Sequence, residues 1–192
     1  AHLALDGTDE AERLRQLRQL LSSALMLKDL LDSTLDFSKI EAGMLSIVQR
    51  PFAVEALFDE LLATWQTVAQ GQGRRLLTHL DPVVPARLVG DPLRIRQILS
   101  NLVSNALKYA DRGEVTLACR ADGPGHWRFE VRDQGPGLDA DQQARLFRRF
   151  VQLEDAGATA RPAGTGLGLA ICRDLAERMG GLAGVDSAPG EG

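Results

Sequence analysis

Gly164-Thr165-Gly166-Leu167-Gly168-Leu169 leads into a helix-forming stretch, and two earlier segments give that run its meaning. Upstream stand Asn101-Leu102-Val103-Ser104-Asn105-Ala106-Leu107-Lys108 and then Asp133-Gln134-Gly135-Pro136-Gly137. A lone glycine-rich loop is compatible with many folds; these segments in this order are compatible with few. Glycines let a backbone approach a ligand closely, and the N–H groups and dipole of a helix start suit a polyphosphate. The run lacks the Gly-Lys-Ser/Thr ending of a P-loop. A loop rather than a strand precedes it, which disfavours a dinucleotide-binding βαβ unit.

Asn101, Asn105 and Lys108 are spaced by four and three residues, so they share one face of a helix. That face borders Leu102 and Ala106, and an amide beside a core needs partners. Two readings stand. The amides cap neighbouring loops, or the Asn105 oxygen binds Mg²⁺ while the Lys108 ammonium lies near phosphates. Asp133 ends a strand and opens a Gly-x-Gly loop. Its carboxylate can accept a hydrogen bond from an exocyclic amine, which favours adenine over guanine. Asp-x-Gly-x-Gly also serves as a plain strand-to-helix turn.

The rest of the chain reads as two regions. Thr8-Asp9-Glu10 starts a long helix, Asp9 to Ile40, by capping and by acids in the first turn. Leu14, Leu17, Leu21, Ala24, Leu31 and Leu35 follow heptad-like spacing, and Leu20, Leu27 and Leu30 widen the stripe. So wide a stripe needs partner helices, and the first helix of such a hairpin is expected to lie before this sequence. Gly43 and Pro51 bracket a short extended segment, Met44–Arg50, and place the domain boundary at residue 43. In 44–192, an amphipathic helix carries Val54, Leu57, Phe58, Leu61, Leu62, Trp65 and Val68 inward. Strands are expected at Leu76–Leu80, Glu114–Arg120, Trp127–Val131 and Ala183–Ser187. Further helices are expected after Asp91-Pro92, at Ala140–Phe147 and at Leu167–Met179. Residues 153–164 read as a mobile loop.

A formal charge of −4 gives no support to nucleic-acid binding. No apolar run approaches the ~20 residues of a membrane span. The two cysteines, Cys119 in a strand pattern and Cys172 in a helix pattern, read as buried reduced thiols in a reducing compartment. With no Cys pair at metal-ligand spacing and three histidines, the sequence argues against structural zinc.

These segments resemble the sensor histidine kinases of two-component systems. Gln97–Tyr109 is similar to the N box of that family and Asp133–Gly137 to its G1 box. Leu146-Phe147-Arg148-Arg149-Phe150 is similar to the F box and Gly164–Leu169 to the G2 box. Leu35-Asp36-Phe37-Ser38-Lys39-Ile40-Glu41-Ala42-Gly43 resembles the end of the second dimerisation helix in hybrid kinases. The resemblance implies a Bergerat-type two-layer α/β sandwich with a mixed sheet, preceded by a helix from a dimerisation bundle. It implies ATP and Mg²⁺, with Asn105 on the metal and Asn101, Lys108 and Tyr109 along the nucleotide. Asp133 would bind the adenine amine, with Gly135, Gly137 and Leu138 beside it and Phe150 at the edge of the site. Gly164, Thr165, Gly166, Leu167, Gly168 and Leu169 would hold the phosphates, and 151–164 would be the ATP lid.

Related ATPases of the gyrase, Hsp90 and mismatch-repair group carry a Glu base one turn before the magnesium Asn. Here that position is Asn101, which cannot take a proton and so favours a kinase over a hydrolase. The family's phosphoacceptor box, His-Glu-x-Arg-Thr-Pro, is absent from these residues, and His2, His79 and His126 lie outside any such context. The box is therefore expected upstream or degenerate in the parent. The implied partners are a second copy through the helical hairpin, a response-regulator receiver domain and, in an alternative reading, another histidine kinase. The implied location is the cytoplasm, with the parent free to be anchored in the inner membrane. That alternative is a non-catalytic nucleotide-binding module that signals by pairing with a kinase. A Ser/Thr kinase of the anti-sigma type shares the ATP fold but lacks the long helix.

Overall fold

The computed structural model describes residues 42–110, 113–152 and 165–192, together with Arg13, Gln16, Leu27, Leu31, Thr34, Leu35, Ser38 and Ile40. The chain divides into two compact units, Ala1–Leu45 and Ser46–Gly192. In the first unit every described position from Arg13 to Ile40 is helical. Gly43 closes this helix in the left-handed region (φ 65°), its N–H donating to the Ile40 carbonyl at 3.1 Å. Leu27, Leu31 and Leu35, four residues apart, are each more than half exposed. The expected helix start at Thr8–Glu10 lies outside the described residues.

The second unit begins with strand β1 (Arg50–Ala53) and helix α1 (Val54–Gly71), followed by β2 (Arg75–Leu80) and β3 (Arg87–Gly90). Helix α2 (Pro92–Tyr109), β4 (Glu114–Ala121), β5 (Trp127–Arg132), α3 (Ala140–Arg145) and α4 (Gly168–Arg178) complete it. β1 and β3 pair antiparallel, with Phe52 opposite Leu88. β4 is the central strand of a mixed sheet: β2 lies parallel to it from Arg75↔Glu114 to Leu80↔Cys119, and β5 antiparallel from Thr116↔Arg132 to Ala121↔Trp127. Val115, Leu117 and Cys119 alternate along β4 and are fully buried. They meet Leu57, Phe58 and Leu61 of α1 and Leu99, Val103 and Leu107 of α2, so both helices cover one sheet face. Phe58 and Phe129 add an edge-to-face contact, centroids 6.3 Å apart. The Trp65 indole N–H donates to Ser100 Oγ at 3.1 Å and ties α1 to α2.

Asp91 is the buried charged residue that fixes where α2 starts. Its Oδ1 accepts the N–H groups of Leu93 and Arg94, and its Oδ2 accepts the N–H of Val48 at 2.9 Å. Asp139 caps α3 in a capping box with Gln142.

Four expectations about elements fail in instructive ways. Val68 is 42% exposed while Ala69 is buried, because the inward face of α1 drifts past the stripe at its last turn. Leu102 is half-buried rather than buried. The pairing β1–β3 lies where the sequence predicts no strand, β1 running on from the extended segment 44–50; both strands are four residues long, too short for a visible alternation. Ala183–Ser187 forms no strand. Ser187 bonds to Leu138 and Gln143 instead of to a ladder. Among the described residues no helix is long and apolar enough to cross a membrane.

Candidate functional site

Helix α2 is a wall shared by two clusters of polar and glycine residues. At its middle, the Asn105 Nδ2 donates to the Asn101 Oδ1 at 3.2 Å, and both residues are half-buried. With its nitrogen directed to Asn101, Asn105 presents its oxygen elsewhere. An amide oxygen is a suitable ligand for Mg²⁺, which takes a few protein oxygens and completes its shell with phosphate and water. Among the described residues no group of three or more His, Cys, Asp or Glu could cage a metal alone. The donor set thus fits a cation held jointly with a phosphate ligand.

The start of α4 sits directly on this amide pair. A Cβ at Gly168 would lie within 3.0 Å of the Asn101 side-chain amide, so glycine is what lets the helices meet. One turn on, the Cys172 Sγ lies 3.8 Å from the Ile98 carbonyl. Burial pushes the Cys172 thiol up to about 12; burial and then the negative charge of Asp81 push Cys119 up to about 11. Both thiols are free and buried, as read from sequence.

Among the described residues no side chain caps α4. Its N-cap is Leu167, whose own N–H donates to Thr165 Oγ1 at 3.2 Å. Its first N–H groups therefore lack the carboxylate that α2 has. Gly166 is left-handed (φ 69°) and packs against the backbone of Phe150 and Val151. The Phe150 N–H donates to the Gly166 carbonyl at 2.9 Å. Phe150 has φ 61°, a left-handed conformation costly for a bulky side chain, and the residue is 68% exposed.

The second cluster lies at the C-terminal end of α2. Asp133 follows β5 directly, and its Oδ1 accepts the Gly135 N–H at 2.7 Å. A Cβ at Gly135 would stand 3.1 Å from the Tyr109 carbonyl. The two loop glycines differ. Gly137 is left-handed (φ 71°); Gly135 is needed for close approach instead. At Gly137 a side chain would collide with the Ala188 carbonyl. The Lys108 Nζ sits 4.9 Å over the Tyr109 ring, a cation–π contact on the flank of α2.

Gly164 and residues 153–163 of the expected lid lie outside the described residues. Leu169 is half-buried in the first turn of α4, and Leu138 donates its N–H to Ser187 Oγ at 2.9 Å. Asn101, Asn105 and Gly168 thus form one cluster, and Tyr109, Asp133 and Gly135 another. Phe150 joins Gly166 rather than Asp133. Ser187 and Gln143 were not singled out from the sequence: a serine after an Ala/Gly-rich stretch and a glutamine in a short helix carry no local signal.

The family described as histidine kinase-, DNA gyrase B-, and HSP90-like ATPase matches residues 90–192. The sensor histidine kinase RcsC of Escherichia coli K12 is 42% identical over 171 residues, covering 89% of this chain and 18% of RcsC. The sensor protein GacS of Pseudomonas syringae pv. syringae is 40% identical over 174 residues, covering 88% of this chain and 19% of GacS. The chain thus spans about a fifth of the length of these curated relatives. Among solved structures, full-length ShkA in complex with AMPPNP superposes with a TM-score of 0.76 at 33% identity, covering 86% of this chain and 34% of ShkA.

Proposed function

Since the chain belongs to the histidine kinase-, DNA gyrase B-, and HSP90-like ATPase family, we propose that it is the ATP-binding kinase core of a hybrid sensor histidine kinase. In the parent protein the ATP γ-phosphoryl passes to a histidine nitrogen and then to an aspartate of a receiver domain. The observation that carries this reading is the spacing of the two clusters. The eight steps from Asn101 to Tyr109 span about 12 Å of helix at ~1.5 Å each. That is the scale of an extended nucleoside triphosphate, with its base at Asp133 and its phosphates between Asn105 and the uncapped start of α4.

In this arrangement Asp133 accepts the adenine amine with the oxygen that Gly135 leaves over. The α4 N–H groups face the phosphates, and Asn105 offers its oxygen to Mg²⁺. A bound Mg²⁺ neutralises phosphate charge. The chain's residues position the nucleotide and exclude competing geometries, which is most of what phosphoryl transfer asks of a protein. Asn101 has no basic atom, so no side chain at that position activates water. The parent dimerises through its helical hairpin, pairs with a receiver domain and works in the cytoplasm.

Calorimetry tests this reading. Asp133→Ala costs one charge-assisted hydrogen bond, ~1.5–3 kcal/mol, or about tenfold to a hundredfold in ATP affinity. Asn105→Ala removes the magnesium-dependent part of the affinity. Unchanged ATP affinity in Asp133→Ala sinks the adenine assignment. With γ-labelled ATP the chain by itself takes up no acid-labile label. His79 lies in β2, and His126 is held at a turn against the Pro124 carbonyl. A separate hairpin bearing the acceptor histidine takes the label in trans. Nucleotide binding without that transfer favours the non-catalytic signalling module.

A further inference from the structure

The Asp133–Leu138 loop has no ladder or helix of its own, yet its polar groups are held from outside. The Leu138 N–H donates to the Ser187 Oγ at 2.9 Å, and that hydroxyl donates onward to the Gly192 carbonyl at 2.5 Å. One Gln143 amide nitrogen donates to both the Leu138 and the Ser187 carbonyls, at 2.9 and 2.8 Å. The Gly190 N–H donates to the Pro136 carbonyl at 2.6 Å. Gly137 is left-handed and packs where any side chain would meet the Ala188 carbonyl. Residues 187–190 and α3 thus grip the loop at Pro136–Leu138, while Gly135 rests on the Tyr109 carbonyl of α2.

We infer that Ser187 is a positioning residue for adenine selection: its hydroxyl, by accepting the Leu138 N–H, fixes the loop that aims the Asp133 carboxylate. A carboxylate selects an exocyclic amine only if it is held in place, because a free one turns to water at little cost. The Asp133 side chain is tied to Gly135 N–H, so its aim follows the backbone of the loop, and that backbone is anchored at Leu138. Removing the Ser187 hydroxyl leaves a part-buried N–H unpaired on this anchor. The loss then appears in discrimination between bases more than in fold stability. This inference rests on the ATP-site reading above.

The experiment measures affinity for ATP and for inosine triphosphate, which carries a carbonyl where adenine carries its amine. The wild-type chain, Asp133→Ala, Ser187→Ala, Ser187→Thr and the double variant Asp133→Ala/Ser187→Ala are compared. Asp133→Ala collapses the ATP-to-inosine-triphosphate preference. Ser187→Ala lowers it by about threefold to tenfold, and Ser187→Thr, which keeps the hydroxyl, restores it. In the double variant Ser187→Ala adds no further loss of preference, because it acts through Asp133. If Ser187→Ala does not fold, Gln143→Ala, which removes the amide that bonds both the Leu138 and the Ser187 carbonyls, is read in its place. A Ser187→Ala chain that weakens both nucleotides equally, or keeps full preference, overturns the inference and leaves the ATP site standing. A wild-type chain with no preference, or one that Asp133→Ala does not change, overturns the site and the inference together.

Discussion

Helices α2 and α4 begin in opposite ways. At the start of α2, Asp91 puts a buried carboxylate on two first-turn N–H groups and reaches back to Val48 as well. The positive end of that dipole is already neutralised inside the protein. At the start of α4 the N-cap is Leu167, no side chain among the described residues caps the first turn, and glycines flank Leu167 on both sides. One start is closed and serves the fold; the other is left open to a ligand. The difference shows how a chain keeps a site: it withholds a capping interaction that it makes elsewhere, and accepts a less stable helix end there.

The largest effect is expected from breaking the closed start. Asp91→Ala loses the cap and strands the Val48 N–H, so unfolding free energy falls by about 2–4 kcal/mol. The urea midpoint reads this, and a shift below ~1 kcal/mol would show that water replaces the carboxylate. Closing the open start is the converse. Thr165→Asp brings a carboxylate to the start of α4, where it repels a triphosphate. ATP affinity falls roughly tenfold, ~1.4 kcal/mol, while stability changes by less than ~1 kcal/mol. Unchanged affinity would place the phosphates elsewhere.

A smaller effect sharpens the contact between the two helices. In an exposed helix Gly→Ala stabilises by ~1 kcal/mol. At Gly168 the added methyl meets the Asn101 amide, so the melting temperature does not rise and magnesium-dependent affinity drops. A gain of the full ~1 kcal/mol would mean that α4 is not seated on Asn101. The smallest effect concerns the two buried thiols, Cys172 on α4 and Cys119 on β4. The folded pKa values of Cys119 and Cys172 are raised, to about 11 and about 12, so the neutral thiol is the form the fold favours. Stability is flat while both states are protonated. It declines as pH rises past the ordinary thiol value, where only the unfolded chain releases its protons. Thiol labelling at pH 8 is accordingly slow in the native chain and fast in urea; fast native labelling would contradict the packing of α4 against Ile98.

Much of this was legible in the sequence, for physical reasons. The Asp91-Pro92 start and the Leu99–Leu107 face of α2 follow from local capping and helical period. The strand Val115–Cys119 follows from alternation. The requirement for glycine at 137, 166 and 168 was readable as a close approach, but the partner of each glycine was not. Those partners (Ala188, Phe150 and Asn101) come from distant parts of the chain. Ser187 escaped for the same reason: the bond it makes spans 49 residues to Leu138. β1 and β3 escaped because four-residue strands are defined by each other rather than by their own pattern.

The parallel pairing of β2 with β4 bears on how the chain reaches this state. Arg75 and Glu114, joined by an ion pair and paired in register, are 39 residues apart, and β3 and α2 must be threaded between them. Such a pair cannot zip from a turn. β4 and β5 can, across Asp122–His126, where the Asp122 N–H already bonds the His126 carbonyl. The β4–β5 hairpin therefore forms at low loop-closure cost. β2 is expected to join once α2 has collapsed onto β4, which predicts that the rate of folding is set by the docking of α2 rather than by the hairpin. Changes on the α2–β4 interface, such as Val103→Ala, then slow folding, while changes at the 122–126 turn mainly alter unfolding.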